Sequence, residues 1–215
     1  MTSNSIFHFE DESQAISSQS DLATKIVSVD DPGFNPRLIC GIDVSYQGET
    51  AFVAATVWDA REKVSVERVV ARSIAPRRYV PGFFGYREGP LLVEISRNLQ
   101  SSPDVFLVDG HGVAHPRRFG MASQVGLAIN HPTIGVAKSL LHGKQDNGTI
   151  LAANGDIIGS TLSTANGKRL YVSVGHRISL RTALRVVQEC ILDGQPVPLR
   201  QAHFDSIRMR KGEDG

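Results

Sequence analysis

Two aspartates stand directly after two short apolar segments of the sequence. Asp109 follows residues 105–108, and Asp43 follows residues 38–42. Apolar runs of this length are typical of buried strands, and open α/β sheets hold their sites at the carboxyl ends of such strands. The alternative is that an Asp-Gly turn simply ends the second strand. Because the pattern occurs twice, a shared site is the stronger interpretation.

The two carboxylates lie side by side if their strands are parallel neighbours. Two such charges about 4 Å apart repel by roughly 4 kcal/mol at an effective dielectric near 20, and a divalent cation removes that cost. Hard oxygen ligands favour Mg²⁺ or Mn²⁺ over zinc, and Glu88 is the candidate third ligand. One or two such ions suit in-line attack on a phosphodiester. The alternative role for Glu88 is structural, because acids at a helix N-terminus are stabilised by the helix dipole.

The elements around these acids predict an α/β fold in a single domain. Three strands joined by short turns read as an antiparallel meander, and the later strands alternate with helices. One helix is predicted to begin at Glu88, because Pro90 suits the first helical turn. The predicted sheet is therefore mixed, a meander plus parallel strands, with helices on both faces. Its strands are predicted at residues 38–46, 51–58, 63–73, 104–108, 133–136 and 170–174.

Composition is that of an ordinary soluble globular protein. The 215 residues are 41% hydrophobic and 21% charged, with a net charge of +1 that neither requires nor excludes nucleic acid. No apolar run approaches the roughly 20 residues of a membrane span, and the first residues do not resemble a signal peptide. The two cysteines, Cys40 and Cys190, are expected to be buried free thiols in a reducing cytoplasm. Residues 1–10 are expected to form a flexible N-terminus.

Four motifs in sequence order carry a more specific signal. They are Gly-Ile-Asp-Val-Ser-Tyr at 41–46, Arg-Tyr-Val-Pro-Gly-Phe-Phe-Gly-Tyr-Arg-Glu at 78–88, Asp-Gly-His-Gly-Val-Ala-His-Pro-Arg at 109–117 and Gly-Val-Ala-Lys-Ser-Leu-Leu at 135–141. Together they resemble the endonuclease V family, and the likeness places a catalytic domain at residues 11–211. The resemblance implies a ribonuclease-H-like fold. It also implies Mg²⁺-dependent nicking of DNA at the second phosphodiester 3′ to deoxyinosine, which is deaminated adenine.

The same resemblance assigns roles to the acids and to two basic residues. Asp43, Glu88 and Asp109 would be the metal-binding carboxylates, with Mn²⁺ expected to support activity as well as Mg²⁺. Lys138 would lie near the scissile phosphate or the attacking water. His203 would take the family's C-terminal active-site position.

A loop rich in proline, glycine and aromatic residues precedes Glu88. By resemblance, Tyr79 with Val80 and Pro81 would form a wedge that separates the DNA strands, although Arg78 stands where the family usually has proline. The alternative is a hydrophobic plug over the sheet. The resemblance places the pocket for the extruded base at Gly82, Phe84, Gly112, Met121 and Leu141. The predicted phosphate contacts are Arg78, His115 and Arg117, with support of the site as a second role for His115.

The expected partner is DNA that contains deaminated bases. Two alternatives stay open at this point: an endoribonuclease that acts on inosine in RNA, and a non-catalytic nucleic-acid-binding protein. The intact set of Asp43, Glu88 and Asp109 argues against the second alternative. We expect a cytoplasmic monomer with no membrane attachment.

Overall fold

The computed structural model describes residues 6–78, 80 and 82–213. Nine strands of this part form one sheet. They are β1 (Leu38–Gln47), β2 (Thr50–Asp59), β3 (Val64–Ile74), β4 (Val105–Asp109), β5 (Thr133–Ala137), β6 (Lys144–Asp146), β7 (Thr149–Leu151), β8 (Ile157–Ser163) and β9 (Arg169–His176). The helices are α1 (Glu12–Ala23), α2 (Phe84–Arg97), α3 (Met121–Ile129), α4 (Leu180–Glu189) and α5 (Val197–Lys211). Two short strands, β10 (Ile191–Leu192) and β11 (Gln195–Pro196), pair separately.

The sheet is mixed, as the sequence predicts. Its strand order is β3-β2-β1-β4-β5-β9-β8-β7-β6. The meander β1–β3 is antiparallel, whereas β4 runs parallel to both β1 and β5. The register pairs Ile42 with Val108, so Asp43, in the middle of β1, lies beside Asp109, the last residue of β4.

Helices cover both faces of the central strands and create two cores. In β4, Phe106 and Val108 pack on the side of α1, α2 and α3, while Val105 and Leu107 pack on the side of α4 and α5. Strands that are buried on both faces appear in the sequence as continuous apolar runs. This double burial explains why the segments before the two aspartates were recognisable from sequence.

Helix α2 begins four residues before the predicted start. It starts at Phe84, so Pro90 lies inside the helix and Glu88 lies in its second turn. Proline removes one helical hydrogen bond and usually ends or kinks a helix. Here the first turn is stabilised by tertiary packing, because Tyr86 is 1% exposed and its hydroxyl donates to the carbonyl of Ala15. The predicted helix start at Glu88 was therefore wrong.

The N-terminal segment is folded from Ile6 onward. Ile6 and Phe7 are buried in the core, and the ring of Phe9 lies 4.7 Å from that of Tyr86 in an edge-on contact. Residues 6, 7 and 9 of the segment predicted to be flexible thus pack against the core, and residues 1–5 lie outside the described part, so the flexibility of residues 1–10 stays a prediction. Within the described part, no helix is long and apolar enough to cross a membrane.

Candidate active site

Asp43 lies beside Asp109, as predicted for parallel neighbouring strands, but only Asp109 ends its strand. The prediction that Asp43 ends the first strand was wrong, because the pairing of β1 with β2 carries the strand on to Gln47. The side chains of Asp43 and Asp109 are 12% and 28% exposed. Burial raises the pKa of Asp43, and the charge of Asp109 raises it further against the opposing hydrogen bond with His203. The two carboxylates therefore interact through the low-dielectric edge of the sheet.

Glu88 joins this pair from helix α2. It is 5% exposed, and burial followed by the charges of Asp43 and Asp109 raises its pKa to about 9. A carboxyl in this position is uncharged at neutral pH unless a cation is close. The structure thus brings the three predicted acids into one electrostatic site, defined here as the carboxylate edge.

Lys138 and His203 also reach the carboxylate edge. The Lys138 ammonium donates to Asp109 Oδ2 at 2.6 Å, and His203 Nδ1 lies 2.8 Å from Asp43 Oδ2. Burial lowers the pKa of Lys138, but the hydrogen bond and charge of Asp109 outweigh it and leave that pKa above its ordinary value. The hydrogen bond to Asp43 raises the pKa of His203. Among the described residues, no three His, Cys, Asp or Glu side chains are already arranged as a metal site.

The close approach of helix α5 to strand β1 positions His203. A Cβ on Gly41 would lie 2.2 Å from the carbonyl carbon of Pro198 and 2.4 Å from the nitrogen of Leu199. Only glycine leaves room for the helix backbone at this distance. Gly41 therefore allows the first turn of α5 to cross β1, and His203 follows on the same helix beside Asp43.

A cavity of about 420 Å³ opens beside Asp109 and Lys138. Four of the five predicted base-pocket residues line it, namely Gly82, Phe84, Met121 and Leu141. Its volume falls in the usual range of small-ligand sites. The cavity and the carboxylate edge share Asp109, so a group bound in the cavity lies next to the acids.

Gly112, the fifth predicted base-pocket residue, does not line this cavity. A Cβ on Gly112 would lie 1.9 Å from the carbonyl oxygen of Val174 in β9. Its amide donates to Ser173 Oγ at 2.9 Å. The glycine is therefore needed for close packing of the turn against β9.

The predicted phosphate contacts differ in their surroundings. Arg78 is exposed, whereas Arg117 donates to the carbonyl of Gly82 at 3.0 Å and ties down the loop. His115 is 5% exposed, and burial followed by the charge of Arg117 lowers its pKa to about 4. A neutral, buried imidazole fits the supporting role of His115 rather than a cationic phosphate contact.

The predicted wedge is described only in part. Tyr79 and Pro81 lie outside the described residues. Val80 is partly buried and packs against the core on the side of α1, α2 and α3. Val80 thus anchors the loop to the protein, while the role of Tyr79 stays a prediction.

Two glutamines at the cavity were missed by the sequence analysis. Gln19 of α1 and Gln124 of α3 both line the cavity and are 2% and 0% exposed. Gln124 has the helical spacing of the core residues Met121, Val125 and Ala128. A polar residue at a core-facing position was the available signal.

Comparison with known proteins decides the family. A model of the Endonuclease V family matches residues 20–204 of this chain. The chain belongs to the Endonuclease V family. Endonuclease V of Desulfurococcus amylolyticus is 39% identical over 166 residues, which are 76% of each chain. Endonuclease V of Protochlamydia amoebophila is 39% identical over 210 residues, covering 90% of this chain and 88% of its own.

Solved structures of Endonuclease V share the fold. The Streptomyces avermitilis enzyme superposes with a TM-score of 0.83 at 32% identity and 95% coverage of both chains. The Ciona intestinalis enzyme, in complex with a 24mer DNA containing an inosine followed by a ribo-adenosine, superposes with a TM-score of 0.86 at 27% identity. That alignment covers 94% of this chain and 98% of the Ciona chain. The predicted family and fold class are therefore confirmed, and the protein is a nuclease.

Proposed function

We propose that this member of the Endonuclease V family is a metal-dependent DNA repair enzyme that nicks DNA at the second phosphodiester 3′ to deoxyinosine. The observation that supports this proposal most directly is the carboxylate edge, where three acids meet beside a cavity large enough for a ligand. The Ciona relative in complex with inosine-containing DNA supports the substrate class. In keeping with repair of genomic DNA, we propose that the enzyme is cytoplasmic.

The donor set at the carboxylate edge fits a divalent cation. Burial and the charges of Asp43 and Asp109 hold the pKa of Glu88 at about 9, so a nearby cation is what would let all three acids ionise together. Carboxylate oxygens are hard ligands that favour Mg²⁺ and Mn²⁺. Such an ion supplies charge stabilisation and an activated water for phosphodiester hydrolysis. It would compete with Lys138 and His203 for the oxygens of Asp109 and Asp43.

Lys138 and His203 have separate tasks in this proposal. Lys138 is 62% exposed at its side chain and keeps its charge, so its ammonium can stabilise negative charge that develops on the scissile phosphate. His203 holds Asp43 Oδ2 through its 2.8 Å contact. Gly41 leaves room for the first turn of α5, the helix that carries His203.

The cavity would receive the extruded base. Gly82, Phe84, Met121 and Leu141 supply backbone and apolar surface on which a flipped base could stack. Tyr79, carried over from the family resemblance, would fill the gap in the duplex. A base that is mispaired costs less to unstack, which favours lesions over intact pairs.

Inosine in RNA is the second candidate substrate. The observation in its favour is the ribo-adenosine after the inosine in the strand bound by the Ciona relative. An enzyme that accepts a ribose next to the lesion can accept the 2′-hydroxyl, the group by which proteins distinguish RNA from DNA.

One assay tests the function and the substrate together. Labelled duplexes with a single deoxyinosine, and matched inosine-containing RNA, are incubated with the protein in Mg²⁺ and the products are mapped at nucleotide resolution. We expect a nick at the second phosphodiester 3′ to deoxyinosine and little cleavage of an undamaged duplex. Faster cleavage of the RNA would make RNA the preferred substrate, and no cleavage of either would overturn the proposal.

A further inference from the structure

Tyr46 places a buried hydroxyl next to Glu88, the acid that helix α2 contributes to the carboxylate edge. The hydroxyl oxygen has no hydrogen-bond partner among the described residues. Burial followed by the charge of Glu88 raises the pKa of Tyr46, because the two side chains lie close together. A buried hydroxyl is costly to leave unpaired. The carboxylate of Glu88 is the acceptor that the site offers to it.

The alternation of strand β1 directs Tyr46 toward helix α2. Asp43 contacts His203, and the hydroxyl of Ser45 donates to the carbonyl of Ser206, so both of these β1 side chains face α5. Tyr46 follows Ser45 and therefore points to the other face of the sheet. There it packs against the core on the side of α1, α2 and α3. One strand thus supplies Asp43 to the carboxylate edge and Tyr46 to the acid of α2.

Contacts on its ring and on its backbone hold Tyr46 in place. The guanidinium carbon of Arg87 lies 4.3 Å from the centroid of the Tyr46 ring, which is a cation–π contact. Arg87 is itself fixed, because it donates to the carbonyl of Arg77. Arg210 of α5 donates to the carbonyl of Tyr46 at 3.4 Å. The hydroxyl is therefore held beside Glu88 before any ligand arrives.

We propose that Tyr46 is a positioning residue for Glu88. Its O–H would donate to one oxygen of the Glu88 carboxylate and leave the other oxygen directed at the cation. Hydrogen bonds of this kind orient metal-binding carboxylates, and loss of such a partner typically costs about 10–100-fold in metal affinity or activity. The inference rests on the proposed function, because it takes Glu88 to be a metal ligand.

Tyr46→Phe tests this role, because it removes the hydroxyl and keeps the ring on which Arg87 stacks. Mn²⁺ binding to the full-length protein without DNA is measured from the electron paramagnetic resonance signal of the free ion. Nicking of a deoxyinosine duplex is followed over a range of Mg²⁺ concentrations. The Kd for Mn²⁺ and the Mg²⁺ concentration that gives half-maximal nicking should both rise about ten-fold or more. The nicking rate at saturating Mg²⁺ should fall by less than the affinity does.

Tyr86→Phe is the matched control. Tyr86 is also a buried tyrosine, and it lies two residues before Glu88 in the same helix. Its hydroxyl donates to the carbonyl of Ala15 at 3.1 Å, so it stabilises the packing of α2 on α1 instead of the carboxylate edge. Tyr86→Phe should lower the melting temperature and keep the wild-type values of both metal measurements.

Each outcome decides the assignment. A wild-type Mn²⁺ affinity in Tyr46→Phe overturns the role of Tyr46 and leaves the proposed function standing. Equal loss of affinity in Tyr46→Phe and Tyr86→Phe also overturns it, because a packing role in α2 would affect both alike. Should Tyr46→Phe fail to fold in a thermal melt, Tyr46→Leu removes the same hydroxyl and gives the same comparison. Failure of the wild type to bind Mn²⁺ would overturn the metal-dependent function, and the assignment with it.

Discussion

The carboxylate edge and the cavity beside it share Asp109 but are built in opposite ways. At the edge, Lys138 pairs with Asp109 and His203 pairs with Asp43. In the cavity, both polar atoms of Gln124 lack a partner among the described residues, and so does Nδ1 of His111. One region pairs two of its three acids with basic side chains of the protein, whereas the other keeps neutral polar atoms unpaired.

This difference follows from the cost of burying each kind of group. Carboxylates at a sheet edge repel strongly in a low dielectric and need cationic partners to stay ionised. A neutral amide is less costly to leave unpaired, so the fold tolerates the buried amide of Gln124. We therefore expect chemistry and base recognition to be separable by mutation, and the following experiments test that separation in order of decreasing effect on nicking.

Removal of a carboxylate should give the largest effect. Asp109→Asn or Asp43→Ala should slow nicking at least about 10³-fold, equivalent to about 4 kcal/mol, because the metal loses a ligand. Binding of an inosine-containing duplex should be largely retained, since the cavity is unchanged. Nicking rates and binding by fluorescence anisotropy measure the two effects, with exposed Asp146→Asn as the control. Near-normal nicking by either site variant at saturating Mg²⁺ would contradict the metal assignment.

Exchange of the metal should separate binding from chemistry without mutation. Mg²⁺ and Mn²⁺ are expected to support nicking, and Ca²⁺, which is larger and less strict in geometry, should support binding with little turnover. Excess EDTA should stop nicking and leave part of the binding. The same nicking and anisotropy assays report both quantities. Efficient nicking in EDTA would rule out the metal-dependent mechanism.

The wedge should have an effect of about ten-fold. Tyr79→Ala is expected to weaken binding to an inosine-containing duplex by roughly ten-fold, about 1.4 kcal/mol, because aromatic stacking on a base is worth about 1–3 kcal/mol. A single-stranded substrate should be affected much less, since no partner strand must be separated. Equal loss on matched single and double strands, at one salt concentration, would place Tyr79 in the base pocket or the core instead.

Arg78 provides a contrast to Tyr79 in the same loop. As an exposed arginine it is expected to contact backbone phosphate, so Arg78→Ala should weaken all duplexes alike and reduce the salt slope by about one. Binding isotherms at several salt concentrations measure that slope. A loss confined to inosine-containing duplexes would instead assign Arg78 to lesion recognition.

Gly112 should have the smallest effect on selectivity. Gly112→Ala places a methyl group against the Val174 carbonyl, and overpacking of this kind typically costs about 1–3 kcal/mol of unfolding free energy. The folded fraction should keep the wild-type preference for an inosine-containing over an undamaged duplex. Denaturant unfolding and that preference together check the prediction. A changed preference with unchanged stability would return Gly112 to the base pocket.

Much of the carboxylate edge could be predicted from local patterns. An apolar run followed by an acid identifies a buried strand, and two such runs identified Asp43 and Asp109. The run gave the carboxyl end of β4 at Asp109, whereas β1 continues beyond Asp43 to Gln47. The N-terminus and helix α2 were harder, because Ile6, Phe7 and the first turn of α2 owe their order to packing partners far along the chain. Local signals such as Pro90 indicated a helix start that tertiary contacts overrode.

The sequence by itself determined the buried strands, the acids that come after their apolar runs and the family motifs, because these depend on residue type and short-range period. Tertiary structure decided which residues share the cavity. Gln19, Gly85, Gln124 and Leu141 belong to distant segments and meet there only because α1, α2 and α3 pack on one face of the sheet. It also decided that Gly112 supports β9 and that Gln124 remains unpaired, since close approach and hydrogen-bond partnership are properties of neighbours in space. Linear order alone does not contain that information.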